Sequence, residues 1–408
     1  MAIRQRKWTW KGKEKSAWVV DYFDAKGKRR LKTFKTKRAA DDWRSETRIE
    51  LKQGTHVADR DSITVEEAGK LWLATCEQNE LEHGTLHLYR QYLRTHINPL
   101  IGAKRLNDLT VPGVRIFHDQ LRADGRSAYL ADKVITYLGG LFADAQERGL
   151  AARNPVHERK RKRQRRNKST ERHEKRLEVG VDFPTPAEIR AILGAATGFR
   201  RAFFATAALA GLRASELRGL TWPDVDFGKA TITVRQRADK WCAIGSPKAA
   251  ASRRTIPVPS LVINALKEWK LACPRRDTGN RDAEGNPVKE LHYVFPNGNG
   301  NIEHLVNIRR RHWHPLQIAA EVTVPAVVDG GGPVMVAKYG GLHALRHFFC
   351  SWCAARPQDG GLGLPLKTVQ VRMGHSTLAM TADRYGHLFP STDDAEVLAA
   401  GERALMGA

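Results

Sequence analysis

The sequence predicts a multidomain protein: a small β-sheet plus helix unit at the N-terminus, an all-α bundle, and a larger α+β, mainly helical domain. Three observations predict it. At 408 residues the chain is too long for one compact core. Its hydrophobic period changes along its length, from strand-like near the start, to helical across residues 62–155, to a mixture after Pro184. Finally, Arg159 to Lys168 contains no apolar residue, so it cannot bury itself and reads as an extended connector. The expected units are therefore 1–55, 62–157, a basic linker at 158–180, 181–390, and a tail helix at 391–408.

In the first unit, Trp18 to Phe23 is a β-branched and aromatic run, Asp24-Ala25-Lys26-Gly27 supplies a turn, and Arg29 to Phe34 returns as a strand of a three-stranded sheet. Thr36 caps a helix running to about Lys52, with Ala40, Trp43 and Thr47 on one face and Gly54 as the stop. The bundle begins at a capped start, with Thr64 or Ser62 as N-cap, and continues through Leu71 and Trp72. A second helix, Thr85 to Ile97, carries Leu86, Tyr89, Leu93 and Ile97 and is expected to end at Asn98-Pro99. Val111-Pro112 opens a third with Val114, Phe117 and Leu121. Leu130 to Arg148 gives a fourth, striped by Val134, Leu138, Leu141, Phe142 and Ala145 and closed by Gly149.

Beyond the linker, helices are expected at Pro186–Leu193, Phe199–Ala210, Leu261–Ala272, His343–Ala355, Leu366–Met373 and Thr377–Tyr385. Thr231–Val234 and Thr255–Val258 alternate like strands. The segment from Val322 to Gly341 reads as mobile, and Pro357 to Gly363 as a loop or hinge. Ser391-Thr392-Asp393 can cap the tail helix, whose face carries Val397, Leu398, Gly401 and Leu405.

Sixty-eight Lys and Arg against 44 Asp and Glu leave a formal charge of +24. Such a chain attracts polyanions, and nucleic acid is the commonest soluble one. The first 55 residues hold 17 Lys and Arg against seven acids, and a small basic sheet suits insertion into a DNA groove. Candidate DNA contacts are Lys28, Arg29 and Arg30 in the hairpin, and Arg159, Lys160, Arg161, Lys162, Arg163, Arg165 and Arg166 in the linker. The linker would release counterions from phosphates without reading sequence; a purely solubilising tether is the alternative.

No stretch approaches the ~20 apolar residues that span a bilayer, and the basic N-terminus lacks the apolar run of a secretory signal; the expected address is cytoplasmic. Five scattered cysteines, Cys76, Cys242, Cys273, Cys350 and Cys353, fit reduced thiols rather than a disulfide framework. Cys350 and Cys353 form a single CxxC near His343 and His347, but a structural metal site normally shows a second ligand pair. They read as buried helix thiols, and no metal or other cofactor is expected. The chain has neither a GxxxxGK[S/T] loop nor a clustered acidic site, which argues against an ATP-driven helicase or a two-metal nuclease.

Four short stretches carry the chemistry. Ala210-Gly211-Leu212-Arg213 precedes Glu216, which can steady the arginine. Ser246-Pro247-Lys248 places a lysine in a turn between strands. His343-Ala344-Leu345-Arg346 sets His and Arg on one helical face. Met373-Gly374-His375 is followed by Arg384-Tyr385. Singly each is weak: a lone helical tyrosine is more often packing than a nucleophile. In this order they closely resemble the signature of the tyrosine recombinase (phage integrase) family: an Arg, a Lys in a β-turn, His-x-x-Arg, a Gly-His pair and a nucleophilic Tyr. The likeness spans about 180–390 and extends more loosely to the bundle and basic N-terminal unit, which look like the family's core-binding (SAM-like) and arm-binding domains.

The resemblance implies an enzyme that cuts and rejoins DNA through a 3′-phosphotyrosine at Tyr385, without ATP or metal. Arg213 and Arg346 would clamp the non-bridging oxygens, fixed planar charge suited to a phosphorane-like transition state. Lys248 matches the donor to the leaving 5′ oxygen, His343 the base or hydrogen-bonding partner of the tyrosine, and His375 the histidine that holds the phosphate. His347 and His387 have no family role and read as structural. Implied partners are double-stranded DNA attachment sites, a homotetramer on synapsed DNA, a host DNA-bending protein and an excision directionality factor. The tail helix is expected to dock on a neighbouring protomer or fold back. An integrase of a phage or other mobile element is the leading expectation. A resolvase-like recombinase of the same chemistry and a catalytically inactive DNA-binding regulator are the alternatives.

Overall fold

The computed structural model describes residues 1–408 except 12, 25–26, 159–175, 248–249, 328–331, 390–393 and 408. It divides into two compact units, Met1–Glu171 and Arg172–Ala408. The expected linker contacts, Arg159 to Arg166, and the tail-capping residues Ser391 to Asp393 lie outside the described residues.

In the first unit, strands Ala2–Trp10, Lys13–Phe23 and Arg29–Phe34 form an antiparallel sheet in chain order. Helix Lys37–Lys52, capped by the Thr36 hydroxyl, lays Ala40, Trp43 and Thr47 against one face. Trp43 packs edge-on to Tyr22 at 5.2 Å and tilted against Phe34 at 5.5 Å, so aromatic burial holds the helix to the sheet. The bundle comprises helices Val65–Gln78, His83–Tyr92, Val111–Ala123 and Ala128–Glu147 around a core that includes Trp72, Ile97, Phe117, Leu138 and Phe142. Thr64 is the N-cap, in a reciprocal capping box with Glu67. Ser62 accepts instead from the Asn107 amide.

The second bundle helix does not stop at Asn98-Pro99. It passes through a π-helical turn, Leu93–Ile97, into a further α turn, Asn98–Ile101. Pro99 then sits at the first positions of that last turn, where a missing N–H costs little.

In the second unit, strands Val225–Asp226, Thr231–Val234 and Arg254–Pro257 form a small antiparallel sheet. Around it pack helices Pro186–Gly194, Gly198–Ala210, Ser260–Ala272 and His343–Ala354. Helix Gly198–Ala210 buries Ala202 through Ala208 in succession, as expected for a segment apolar all round. The third strand starts at Arg254, one residue before its expected start, and its alternation turns Arg254 and Ile256 inward.

Segment 322–341 contains an antiparallel hairpin, Thr323–Val327 with Pro333–Ala337. The Pro357–Gly363 insertion is tied down: Leu362 and Gly363 amides donate to the carbonyls of Trp352 and Ala355 at 2.9 and 2.7 Å. It therefore closes the end of the His343–Ala354 helix rather than forming a free hinge, satisfying carbonyls that the helix leaves open. A last helix, Asp394–Met406, leaves Leu405 and Met406 exposed.

Candidate active site

Four separate segments of the second unit meet at one place, and each is positioned by an identifiable local cause. Helix Gly198–Ala210 ends on Gly211 in the left-handed conformation, φ +62°, which turns the chain so that Arg213 caps helix Ala214–Gly219. Arg213 Nη1 donates to Glu216 at 2.7 Å and to Ser252 Oγ at 3.3 Å, and its Nη2 donates to the Gly374 carbonyl at 3.1 Å. Glu216 is buried, and its carboxylate also receives Arg254 Nη2 at 2.9 Å and Nη1 at 3.3 Å. Burial alone would raise its pKa; the charge and hydrogen bonds of Arg254, with those of Arg213, hold it below the ordinary range. Arg254, unremarked among its basic neighbours in sequence, is thus part of the cluster.

His343, Arg346 and His347 project from one face of helix His343–Ala354, at spacings of three and four. Arg346 is 2% exposed and donates Nη1 to the Gly211 carbonyl at 2.6 Å and Nη2 to the Met373 carbonyl. Burial and the neighbouring Arg213 push its pKa down to about 9, which leaves it charged at neutral pH. His343 keeps part of its surface in solvent. Burial of the remainder, followed by the charges of Arg346, Arg384 and Arg213, lowers it to about 4.

Helix Leu366–Met373 ends on Gly374, φ +63°, which brings His375 to the cluster. His375 Nδ1 pairs with the hydroxyl of fully buried Thr381 at 2.9 Å, and its ring lies parallel to that of Tyr385 at 6.1 Å. Burial and then Arg346 push its pKa down to about 4, so it is neutral near pH 7.

Tyr385 closes helix Leu378–Tyr385 and is 1% exposed. Burial raises its pKa above that of a free phenol, against the opposing charges of Arg346, Arg384 and Arg213. Its hydroxyl lies 2.7 Å from Nδ1 of His347. The imidazole hydrogen-bonded to the tyrosine is therefore His347, read from sequence as structural, and not His343. The ring of His343 stands edge-on to His347 at 4.5 Å. The spacing of four from His343 was the available signal. His387 lies apart, bonded to the Leu177 carbonyl at 2.8 Å.

Lys248 lies outside the described residues. Cys350 and Cys353 are free and fully buried, and burial raises both thiols, Cys353 to about 12. Among the described residues no group of three or more His, Cys, Asp or Glu could hold a metal ion, and no helix is long and apolar enough to cross a membrane.

The N-terminal sheet sorts the hairpin residues by face. Strand pairing sets Arg29 opposite Phe23 and Arg30 opposite Tyr22. Arg30 faces the helix side and is held by Asp24 at 2.8 Å and by Asp61; Arg29 lies on the other face, bridged to Asp21. Lys28 is exposed, and its backbone amide bonds Asp24 at 2.9 Å. Arg4 and Arg6, not singled out in sequence, share Arg29's face through pairing with Val19 and Ala17.

The model of the Phage integrase family matches residues 183–391, and that of the Phage integrase N-terminal SAM-like domain matches 64–121. A tyrosine recombinase XerC-like protein of Caldanaerobacter subterraneus is 27% identical over 383 residues, covering 90% of each chain. The ICEBs1 integrase of Bacillus subtilis is 22% identical over 79% of this chain and 78% of its own. Among solved structures, the Tn1549 transposon integrase in complex with circular intermediate DNA has a TM-score of 0.58 at 20% identity, covering 84% of this chain and all of its own. A lambda integrase dimer bound to a core site has a TM-score of 0.51 at 16% identity, covering 90% and 91%. Both share the fold.

Proposed function

The chain belongs to the phage integrase family of tyrosine recombinases, and we propose that it cuts and rejoins DNA through Tyr385, integrating and excising a phage or other mobile element. The observation that carries this reading is the convergence of Arg213, Arg346, His375 and Tyr385 from four segments, stitched together by Arg213 on Gly374 and Arg346 on Gly211 and Met373. Two guanidiniums, Arg213 and Arg254, share one carboxylate, Glu216, while that of Arg346 binds backbone carbonyls. The surplus positive charge suits a phosphodiester gaining negative charge as it is attacked.

In the proposed reaction the Tyr385 oxygen bonds to phosphorus, the bond to the 5′ oxygen breaks, and a 3′-phosphotyrosine stores the bond energy until a 5′ hydroxyl reverses the step. The phenolic proton is released to water as the oxygen attacks, and Lys248 supplies a proton to the departing 5′ oxygen. Arg213 and Arg346 balance the developing charge; His375 and the solvent-facing edge of His343 bond the phosphate oxygens.

The relative described as an integrase, and the DNA named with the solved structures, support attachment-site DNA as the substrate. A lambda integrase tetramer bound to a Holliday junction, TM-score 0.50, supports a tetramer on synapsed DNA as the working assembly. Residues 1–55 would bind arm-type sites and the bundle core-type sites. A host DNA-bending protein and an excision directionality factor complete the proposed partners, in the bacterial cytoplasm.

A nicked suicide substrate that traps the covalent complex tests the nucleophile. Wild type should give a protein–DNA adduct that Tyr385→Phe abolishes; an adduct of equal yield in the variant refutes the assignment.

A further inference from the structure

The imidazole that touches the hydroxyl of Tyr385 belongs to a residue outside the six that the motif supplies. We infer that His347 is a positioning residue for the nucleophile: its Nδ1 accepts a hydrogen bond from the Tyr385 hydroxyl and so aims the oxygen lone pairs away from itself, toward the phosphate. This rests on the reading of Tyr385 as nucleophile given above.

The geometry fixes the direction of the bond. The two atoms are 2.7 Å apart and both side chains are buried. Were Nδ1 to carry the hydrogen and donate it, the buried phenol proton would need another acceptor, and among the described residues Tyr385 has no other recorded hydrogen bond. A buried donor without a partner forfeits its hydration with nothing in return. The neutral tautomer with its proton on Nε2 removes that cost and leaves Nδ1 as acceptor.

The surroundings keep His347 neutral. Its ring lies edge-on to His343 at 4.5 Å and 6.3 Å from Phe183, while Arg346 and Arg384 oppose a second positive charge and Asp182 favours it more weakly. With burial as the largest cause, its pKa falls to about 3. Such a group is a poor base but a steady acceptor, so its contribution is orientation rather than full proton removal. A hydroxyl whose proton is fixed on one side presents its lone pairs on the other. The parallel ring of His375 at 6.1 Å confines the phenol from a second direction. Arg346 precedes His347 by one residue, so one helical turn carries both the phosphate clamp and the group that aims the nucleophile.

The test compares His347→Leu, His347→Asn and His347→Gln in the full chain, by single-turnover cleavage of the nicked substrate at saturating DNA. Leu removes the acceptor at similar volume, Asn places an amide oxygen where Nδ1 was, and Gln reaches toward the Nε2 position. We expect Leu and Gln to cleave on the order of 10- to 100-fold more slowly with unchanged DNA affinity, as for a misaligned reacting atom, and Asn to recover most of the loss. Equal rates for Asn and Gln, or a Leu variant as fast as or faster than wild type, overturn the inference. If Leu fails to fold, the Asn–Gln contrast decides alone, since a role in packing predicts no preference for the position of the oxygen. Tyr385→Phe is run in parallel. Loss of its adduct with no contrast at His347 defeats only the positioning role, whereas an adduct that survives defeats the nucleophile assignment itself.

Discussion

Replacing Glu216 with Gln isolates the electrostatic centre of the cluster. The wild-type carboxylate accepts four hydrogen bonds: from the Arg213 amide at 2.9 Å, Arg213 Nη1 at 2.7 Å, and Arg254 Nη2 and Nη1 at 2.9 and 3.3 Å. Gln keeps the shape but loses the charge, and it turns an NH2 donor toward one guanidinium. The side chain of Arg254 is 4% exposed, so its charge would be stranded. Removing one partner of a buried pair costs about 3–5 kcal/mol. At about 2–4 °C per kcal/mol for a domain of this size, the second unit's melting transition should fall on the order of 10 °C in scanning calorimetry. Adding Arg254→Met removes the stranded charge and should recover part of the loss, a coupling that a double-mutant cycle measures. A melting point within about 2 °C of wild type for Glu216→Gln, or a double variant no more stable than the sum of the singles, would refute the reasoning.

Arg213→Ala should retain DNA binding in a mobility-shift assay yet lose on the order of 10²-fold in single-turnover cleavage, as for other transition-state donors; full activity would remove it from the phosphate site. Gly211→Ala combines a φ of +62° with a Cβ only 2.1 Å from Phe349 Cδ1, and should lower stability by more than about 2 kcal/mol, read by urea unfolding. In acid, His375 and His347 gain protons at pH 6.5 when unfolded but only near about 4 and 3 when folded. Their contribution is therefore full above pH 6.5 and declines below it, by on the order of 2 kcal/mol each at about pH 5. A stability curve flat from pH 7 to about 5 in the wild type, checked by urea titration, would contradict it. Cys350 and Cys353, buried with raised pKa values, should react with a thiol reagent only as fast as the domain opens.

Much of the site was legible because its chemistry is carried by rare residue types at fixed local spacings. His343 and Arg346 lie one helical turn apart, and Gly374-His375 stands ten residues before Tyr385. What eluded sequence was decided by distant contacts or by register. Arg346 reaches a carbonyl 135 positions away and Arg213 one 161 positions away, and no local pattern encodes either. Arg254 stands beside Arg253, and only the alternation of the strand turns the former inward. Likewise, Arg29 and Arg30 are neighbours in sequence but face opposite sides of the sheet. His347 shares the face of His343, yet an imidazole on an apolar helix is ambiguous until the tyrosine arrives from a different helix. The helix through Pro99 escaped detection because a π turn relieved the proline's conflict, and the hairpins at 276–290 and 323–337 are too polar or too short to show strand periodicity.

Helix ends hold both arginines that the motif supplies, Arg346 through carbonyls and Arg213 through a carbonyl beside its ion pair with Glu216. Arg346 binds the carbonyls of Gly211 and Met373, and Arg213 binds that of Gly374. All three close helices Gly198–Ala210 and Leu366–Met373, where unpaired carbonyls carry partial negative charge. Gly211 and Gly374 adopt the left-handed conformation at those ends, which turns the carbonyls toward the guanidiniums, and the space a side chain would need is already filled by Phe349 and Arg254. Partial charges attract a guanidinium without neutralising it. A carboxylate anchoring Arg346 would have cancelled a unit of charge and competed with a phosphate for the same donors, and the one at Arg213, Glu216, is shared with Arg254. Carbonyl anchoring instead fixes the direction of Arg346 while leaving its charge to act on the substrate. Electrostatic stabilisation of a transition state requires just such charge, oriented in advance by the fold.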